Sequence, residues 1–457
     1  MLGFLNTSMA ASSQRFITYA LGEGDDEKVR NVFVTSVWVH LLVAFIVLVA
    51  AETLGLWFLY EKMVIPADRF HTAFWVYQCS IAASLITIMS VPFNSLIIAY
   101  ERMSVFAYIS VFEVSMNLGI VFLLVIGQFD KLLLYAVLLL LLKGIVFSVY
   151  RYYCIKKIPS SKFRMFFEKE KFHSMVKFSL WSMNGHLALV GASQGINLLL
   201  NLFFGPAMNA AHGVATHVQT HVYSFCTNFN LATKPQITKL YANSLFEEMH
   251  KLVIMSSKFS FYLMIILTLP VIINITPILQ LWLGIVPDYS AQFVVIMLVS
   301  SLVRSLSFPL IASVHATGDL KRFQLWEGTT LLMVVPIAYL LLKLFHVSPL
   351  VVMSVYLVLE TVAQCIRVWI VLPMIRMPFN DYIVGAIKPI AMVSLLMAFL
   401  PLLYTQIKIS HDIVLVLASV IACFLYGIGV IYFIGCNSME KQAIAVFLKN
   451  KFKARTI

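Results

Sequence analysis

The chain has 457 residues, of which 61% are hydrophobic and only 12% charged, with a mean hydropathy of +0.90 and a formal net charge of +12. A soluble globular protein carries about 25% charged residues, and no soluble core of this size would hide so much apolar surface, so the composition excludes that class and names lipid as the solvent. The apolar stretches are long and helix-like, which excludes a barrel of short alternating strands. The basic residues lie between and after them, a topology signal that argues against nucleic-acid binding.

Thirteen hydrophobic segments follow one another. The first, roughly 1–21, carries Asn6, Ser12, Gln14 and Arg15 and lacks the layout of a signal peptide. Then come roughly 31–59, 71–100, 104–127, 131–153, 175–204, 207–234, 252–282, 289–316, 321–345, 348–373, 381–404 and 411–436. A helix needs about 20 residues to cross the hydrocarbon core, and nearly all qualify. The fold class is an all-α polytopic membrane protein. Pro92, Pro235, Pro270 and Pro309 fall in or near these helices and are expected to bend them.

Lys and Arg concentrate in alternate connections: Lys28 and Arg30, Arg102, the 151–177 stretch, the 234–251 loop, Lys321 and Arg322, and Arg376. The opposite connections are short and poor in charge, so the basic set and the C-terminus are expected in the cytoplasm. The 151–177 stretch also holds Phe163, Phe166, Phe167 and Phe172 among its cations and reads as an amphipathic linker on the inner leaflet, or else a solvated one. The six cysteines are scattered without a CxxC pair and read as small hydrophobes, with neither a disulfide framework nor a metal site.

An internal repeat runs through the chain. Gln14-Arg15-Phe16-Ile17-Thr18 and the acidic loop to Glu27 resemble Pro235-Gln236-Ile237-Thr238 and the loop to Glu247, at an offset of 220. Pro92 to Phe106 resembles Pro309 to Phe323 at an offset of 217. Two related halves are therefore expected, an arrangement common in transporters. The expected layout is an N-terminal lobe at 1–153, a basic linker at 154–174, a C-terminal lobe at 175–373, two additional helices at 374–436 and a basic tail at 437–457. Subtracting the offset from the 175–204 segment places its counterpart ahead of Met1. One further N-terminal helix, fourteen in a full-length protein, is thus expected, and it would bring both termini into the cytoplasm.

The opening run MLGFLNTSMAASSQRFITYALGEGD resembles the second helix and first cytoplasmic loop of Wzx-type polysaccharide flippases. These are relatives of MATE drug exporters and MurJ-type lipid II flippases in the MOP superfamily. Val91-Pro92-Phe93-Asn94-Ser95-Leu96-Ile97-Ile98-Ala99-Tyr100-Glu101-Arg102 resembles the family's fourth helix and following loop, and His315-Ala316-Thr317-Gly318-Asp319 its tenth. The resemblance implies two pseudo-symmetric six-helix lobes around a central cavity, two added C-terminal helices and alternating access. It implies a multi-pass protein of the bacterial inner membrane that flips undecaprenyl-pyrophosphate-linked oligosaccharide. Implied partners are membrane lipids, the lipid-linked substrate, a polysaccharide polymerase and glycosyltransferases. The alternatives are a MATE-like ion-coupled exporter, a lipid II flippase and a non-transporting scaffold.

Such a substrate presents an anionic phosphate, a polar glycan and a long apolar tail, so its passage needs cations and hydrogen-bonding groups inside the membrane but no covalent chemistry. No catalytic motif is evident and no cofactor is called for beyond a coupling ion, H+ or Na+. The candidate cavity residues are Lys143, Arg304, His217, His221, Asn228, Gln194, Asn197 and Asn201. His217, His221, Ser224 and Asn228 share one helical face, as do Gln194, Asn197 and Asn201. Polar stripes in lipid face protein or water, so interhelical hydrogen bonding competes with cavity lining as their role. Glu113 is the expected partner of Lys143 and Glu327 that of Arg304, while Glu360 and Arg367 stand two turns apart on one face with Gln364 between them.

Overall fold

A computed structural model of the chain describes residues 3–61, 67–126, 130–162, 164, 166–345, 347–399 and 413–442. The described residues are helical throughout, with no strand among them. Each of the thirteen apolar segments corresponds, over its described residues, to one helix or to a run of consecutive helices. Among the described residues ten helices are long and apolar enough to cross a membrane, and eleven if one bent pair is counted as a single span. The remaining two rods, α1 (Gly3–Gly22) and α8 (Pro206–Ala242), are helical but too polar to pass on composition.

By packing, the chain divides into two compact units. The first comprises Met1–His186 together with Thr238–Ser244, the second Leu187–Ile237 with Leu245–Ile457. The first unit holds α1, α2 (Asp26–Ala50), α3 (Leu56–Glu61), α4 (Phe70–Ala99), α5 (Met103–Ile126), α6 (Lys131–Lys157) and the first half of α7 (Lys169–Phe204). Its core gathers Ile17, Phe33, Leu96, Ile97, Leu142 and Tyr150. The start of α7 packs here because Met175 joins Met9 and Val39 and its carbonyl accepts the Ser12 hydroxyl at 3.1 Å. Packing thus places the boundary inside α7, beyond the basic stretch at 154–174. In that stretch the Trp38 indole donates to the Phe166 carbonyl and the rings of Phe167 and Phe172 meet. Phe163 and the basic residues of the tail beyond 442 lie outside the described residues.

The second unit continues with the rest of α7, most of α8, α9 (Phe246–Ile273), α10 (Ile275–Leu283), α11 (Ser290–Ser305), α12 (Ser307–Thr317), α13 (Lys321–Leu332), α14 (Val334–Phe345), α15 (Leu350–Met374), α16 (Phe379–Tyr382), α17 (Lys388–Met397) and α18 (Ile413–Val430). Leu200, Leu279, Phe293, Leu298 and Val352 centre its core. Prolines stand beside three of the breaks, while Pro92 and Pro235, also expected to bend their helices, lie inside the uninterrupted α4 and α8. Pro309 sits in the first turn of α12 and cannot donate to the carbonyl four residues back, and α11 and α12 meet there at 41°. Pro336 stands in the same relation to the break at Met333 between α13 and α14. Pro270 precedes the break at Asn274, whose side-chain amide donates to the Pro270 carbonyl at 3.0 Å.

The internal repeat is visible in the backbone. Gly24 and Ser244, 220 residues apart, both take positive φ (74° and 57°) in the turns after α1 and α8. Glu101 and Gly318, 217 residues apart, do the same (58° and 83°) after α4 and α12. A left-handed residue is the commonest way to end a helix, and its recurrence at both offsets shows that the same turn closes the same helices in each half.

Candidate functional site

Helix α8 brings polar side chains into the second unit without breaking its own backbone ladder. The hydroxyls of Thr216, Thr220, Ser224 and Thr227 each donate to a carbonyl three or four residues earlier. That local bonding lets Ser and Thr sit in an apolar setting, and it leaves their oxygens as acceptors toward whatever lies beside the helix. His217, Thr220, His221 and Asn228 are exposed. The two imidazoles stack with centroids 6.5 Å apart and planes inclined by 22°. A polar face left uncovered on a helix of a membrane protein faces water or a polar partner. On α7, Gln194 and Asn201 are exposed as well. Asn197 is half-buried, and its side-chain carbonyl takes a 2.7 Å hydrogen bond from His212 Nδ1, so its role is to tie α7 to α8.

Next to this face is a cavity of about 220 Å³ lined by Gln219, Thr220, Tyr223, Ser224, Thr227, Ser301 and Arg304. Gln219 holds α8 to α11 by donating to Ser301 Oγ at 2.8 Å and to the Met297 carbonyl at 3.1 Å. Arg304, near the end of α11, lies with its guanidinium 5.3 Å from the centre of the Tyr223 ring. No carboxylate lies within ion-pair distance of Arg304 among the described residues.

The carboxylate expected to pair with Arg304 is engaged elsewhere. Glu327 accepts from Arg367 Nε at 2.7 Å, and Glu360 accepts from Arg367 Nη1 at 2.7 Å. Gln364 accepts from the same Nη1 at 3.2 Å. Arg367 and Glu360 are fully buried, at 1% and 0% exposure. The reason is geometric: Glu360, Gln364 and Arg367 share one face of α15, that face packs on α13, and Glu327 projects from α13 into the guanidinium fork. Glu327 and Glu360 still lie in the electrostatic field of Arg304 without touching it.

The first unit has a separate cavity of about 380 Å³ among α1, α4, α5 and α6. Lys143 of α6 and Glu113 of α5 line it and form an ion pair at 2.5 Å, each about one-third exposed. The two residues expected to meet do meet, and Lys143 is therefore a neutralised cation where Arg304 is not. The same cavity is lined by Asn6, Gln14, Asn94 and Tyr150, which sequence reasoning missed as site residues. The signal was present: Asn6 and Gln14 stand two turns apart on α1, and Thr87, Ser90 and Asn94 recur at spacings of three and four on one face of α4. Among the described residues no group of His, Cys, Asp and Glu is arranged to hold a metal ion.

No protein-family model matches the chain, and no curated protein matches it. Solved structures do. A mutant MATE aligns with a TM-score of 0.73 at 15% identity, covering 83% of this chain and 85% of that one. The chain has the MATE fold. An outward-facing multidrug resistance MATE family transporter of the MOP superfamily aligns at 0.69 and 14% identity, with 83% and 84% covered. A MOP superfamily transporter from Pyrococcus furiosus aligns at 0.71 and 14% identity, covering 83% and 85%; its own binding pocket is described as having reverse polarity that suggests a different function. The likeness fixes the architecture of this multi-pass membrane protein, and at these identities its activity has to be argued from its own residues.

Proposed function

We propose that the protein is a flippase that carries an undecaprenyl-pyrophosphate-linked oligosaccharide across the bacterial inner membrane by alternating access, for O-antigen, capsule or exopolysaccharide assembly. The observation that carries this reading is Arg304. A charge at the centre of a spanning helix costs roughly 2.5–3.5 kcal/mol on insertion scales. A structural arginine offsets that cost with a carboxylate, as Arg367 does twice. Arg304 instead faces a hydroxyl-lined cavity beside the exposed His217, His221 and Asn228. A guanidinium with open donors suits a phosphate, which it grips through two parallel N–H bonds.

A MATE-like exporter of cationic drugs is the second reading. Three intramembrane carboxylates, Glu113, Glu327 and Glu360, weigh against it, since each carries a Lys or Arg partner, while Glu52 of the second segment accepts from Gln78. The inner membrane as location, a cytoplasmic C-terminus and a polymerase and glycosyltransferases as partners belong to the leading reading.

The test is surface-polysaccharide assembly in cells that depend on the protein. Arg304→Ala is expected to abolish or strongly reduce assembly at unchanged protein level, and Arg304→Lys to restore part of it by keeping the charge without the fork. Normal polysaccharide in cells carrying Arg304→Ala would remove the assignment.

A further inference from the structure

The side of α6 turned away from Lys143 carries an open groove of about 760 Å³, lined by Leu141, Gly144, Ile145, Ser148 and Tyr152 together with Ile86 of α4. Lys143 and Tyr152 are nine residues apart, two and a half turns, so they project from opposite sides of the helix. The groove is thus separate from the cavity that holds the Lys143–Glu113 pair. Leu141, Ile145, Ser148 and Tyr152 follow at spacings of four, three and four and form one stripe. Its floor is open because Gly144 has no side chain: a Cβ there would meet no atom within 4 Å. The Ser148 hydroxyl donates to the Gly144 carbonyl at 2.8 Å, so the middle of the groove offers no free donor and suits a hydrocarbon chain.

Length and charge name the occupant. The groove runs from Leu140, near the middle of α6, to Tyr152, close to its C-terminal end. That stretch rises about 18 Å at 1.5 Å per residue, close to the ~15 Å of hydrocarbon in one leaflet. Tyr152 is exposed at the end of it, where the aromatic rings of spanning helices meet lipid headgroups. One turn further, Lys156 donates to Tyr152 Oη at 3.2 Å and sits 5.4 Å from the ring centre. That bond leaves two of its three N–H groups for a ligand. Arg151 stands exposed on the other flank of the same face. Among the described residues neither cation is in an ion pair, and the chain has no acidic residue between Asp130 and Glu168. A second copy of the chain fits this face badly. In a two-fold pair about the membrane normal the face meets itself, which sets Arg151 and Lys156 against the same cations of the copy. An apolar chain that ends in a phosphate meets hydrocarbon along the groove and two open cations at its mouth.

We infer that the groove between α4 and α6 is a binding site for one anionic membrane phospholipid, its acyl chain laid along Leu141 to Tyr152 and its phosphate held between Arg151 and Lys156. Basic side chains at the end of a spanning helix recruit anionic lipid, and the groove adds a fixed seat for the chain. The site belongs to the first unit alone and is independent of what the protein transports.

The experiment is native mass spectrometry of the full chain, delipidated in detergent and titrated with phosphatidylglycerol or with phosphatidylcholine of the same acyl chains. Each basic side chain at the headgroup is worth about fivefold, so the first phosphatidylglycerol should bind roughly 10–25 times more tightly than the first phosphatidylcholine. The double variant Arg151→Gln, Lys156→Gln should erase that preference while both lipids still bind. Gly144→Leu fills the groove, meets no neighbour and favours the helix, so it should stay folded and lose first-site binding of both lipids. Ser148→Leu fills it one turn on and should do the same. Equal binding of the two lipids to the unmodified chain overturns the site, as does a preference that survives in the double variant. So does first-site binding unchanged in both filling variants. A dimer that disappears in Gly144→Leu would assign the face to a second copy, and displacement of phosphatidylglycerol by an equal concentration of decaprenyl phosphate would assign it to a polyprenyl chain; either result overturns the phospholipid.

Discussion

Replacing Arg367 by Met removes the one cation that two buried carboxylates share. Its two charge-assisted hydrogen bonds, both 2.7 Å, vanish together. Glu360 is 0% exposed and its Oε2 already lacks a partner, so no local donor takes over. Breaking a buried pair by deleting one partner costs about 3–5 kcal/mol, mostly from the stranded charge. Glu360 places this site at the upper end of that range, while Glu327, with 11% of its side chain exposed, contributes less. Arg367→Met should therefore destabilise the protein by about 4–5 kcal/mol. The triple variant Arg367→Met, Glu327→Gln, Glu360→Gln carries no stranded charge and should recover more than half of that loss. Equilibrium unfolding of the purified chain in mixed micelles, with each variant referred to the unmodified protein, measures both. A loss under about 1 kcal/mol, the worth of a solvated pair, would refute the reasoning. So would a triple variant no more stable than the single one.

Three further outcomes follow from the first unit. A Cβ on Gly22 would stand 2.9 Å from that of Ala242 and 3.2 Å from the Lys239 backbone, so Gly22→Ala should cost about 1–3 kcal/mol by overpacking despite alanine's better helix propensity. Ala242→Gly should relieve part of it in the same unfolding assay. Lys239 and Glu101 form a 2.6 Å ion pair, each about one-third exposed; Glu101→Lys should lower stability by up to about 1 kcal/mol and the charge-swapped double variant restore it. Asp130 caps α6: partial desolvation opposes its ionisation, but the Leu132 amide, the Thr72 hydroxyl, the Leu133 amide and the Arg69 charge outweigh it and hold the carboxyl below its usual range. A depressed folded value means that the cap stabilises above the unfolded pKa, near 3.9, and fades as pH falls through the folded one. Hydrogen exchange at the start of α6 should be insensitive to this group at neutral pH and accelerate only in that acid window; Asp130→Asn should remove the acid-dependent step.

Much of the architecture was legible because apolar length is a local property. A run of about 20 apolar residues in lipid has to satisfy its backbone internally, and only a helix does so within one segment. The prolines were a partial guide: Pro270 and Pro309 stand beside helix breaks, whereas Pro92 and Pro235 lie inside continuous helices. The repeat was readable from short phrases because a left-handed turn constrains the residues around it, as at Gly24 and Ser244.

Pairing among charges was legible only in part. Lys143 with Glu113 could be guessed from two intramembrane charges of opposite sign on successive helices. Arg304 with Glu327 followed the same logic and failed, because Arg367 reached Glu327 first. Asn197 looked like a cavity residue until His212 took it. Asn6 and Gln14 share a face of α1 and Asn94 ends a Thr87–Ser90–Asn94 face of α4, but only the packing of α1 on α4 shows that the two faces line one cavity.

By itself, then, the order of residues determined that the chain is a string of membrane-length helices and which turns recur. Tertiary packing alone decided which arginine keeps its charge open and which amide-bearing residues line one cavity. The physical reason is range: helix formation is settled within a few residues along the chain, whereas the state of a buried charge depends on whichever side chain a neighbouring helix brings within about 4 Å.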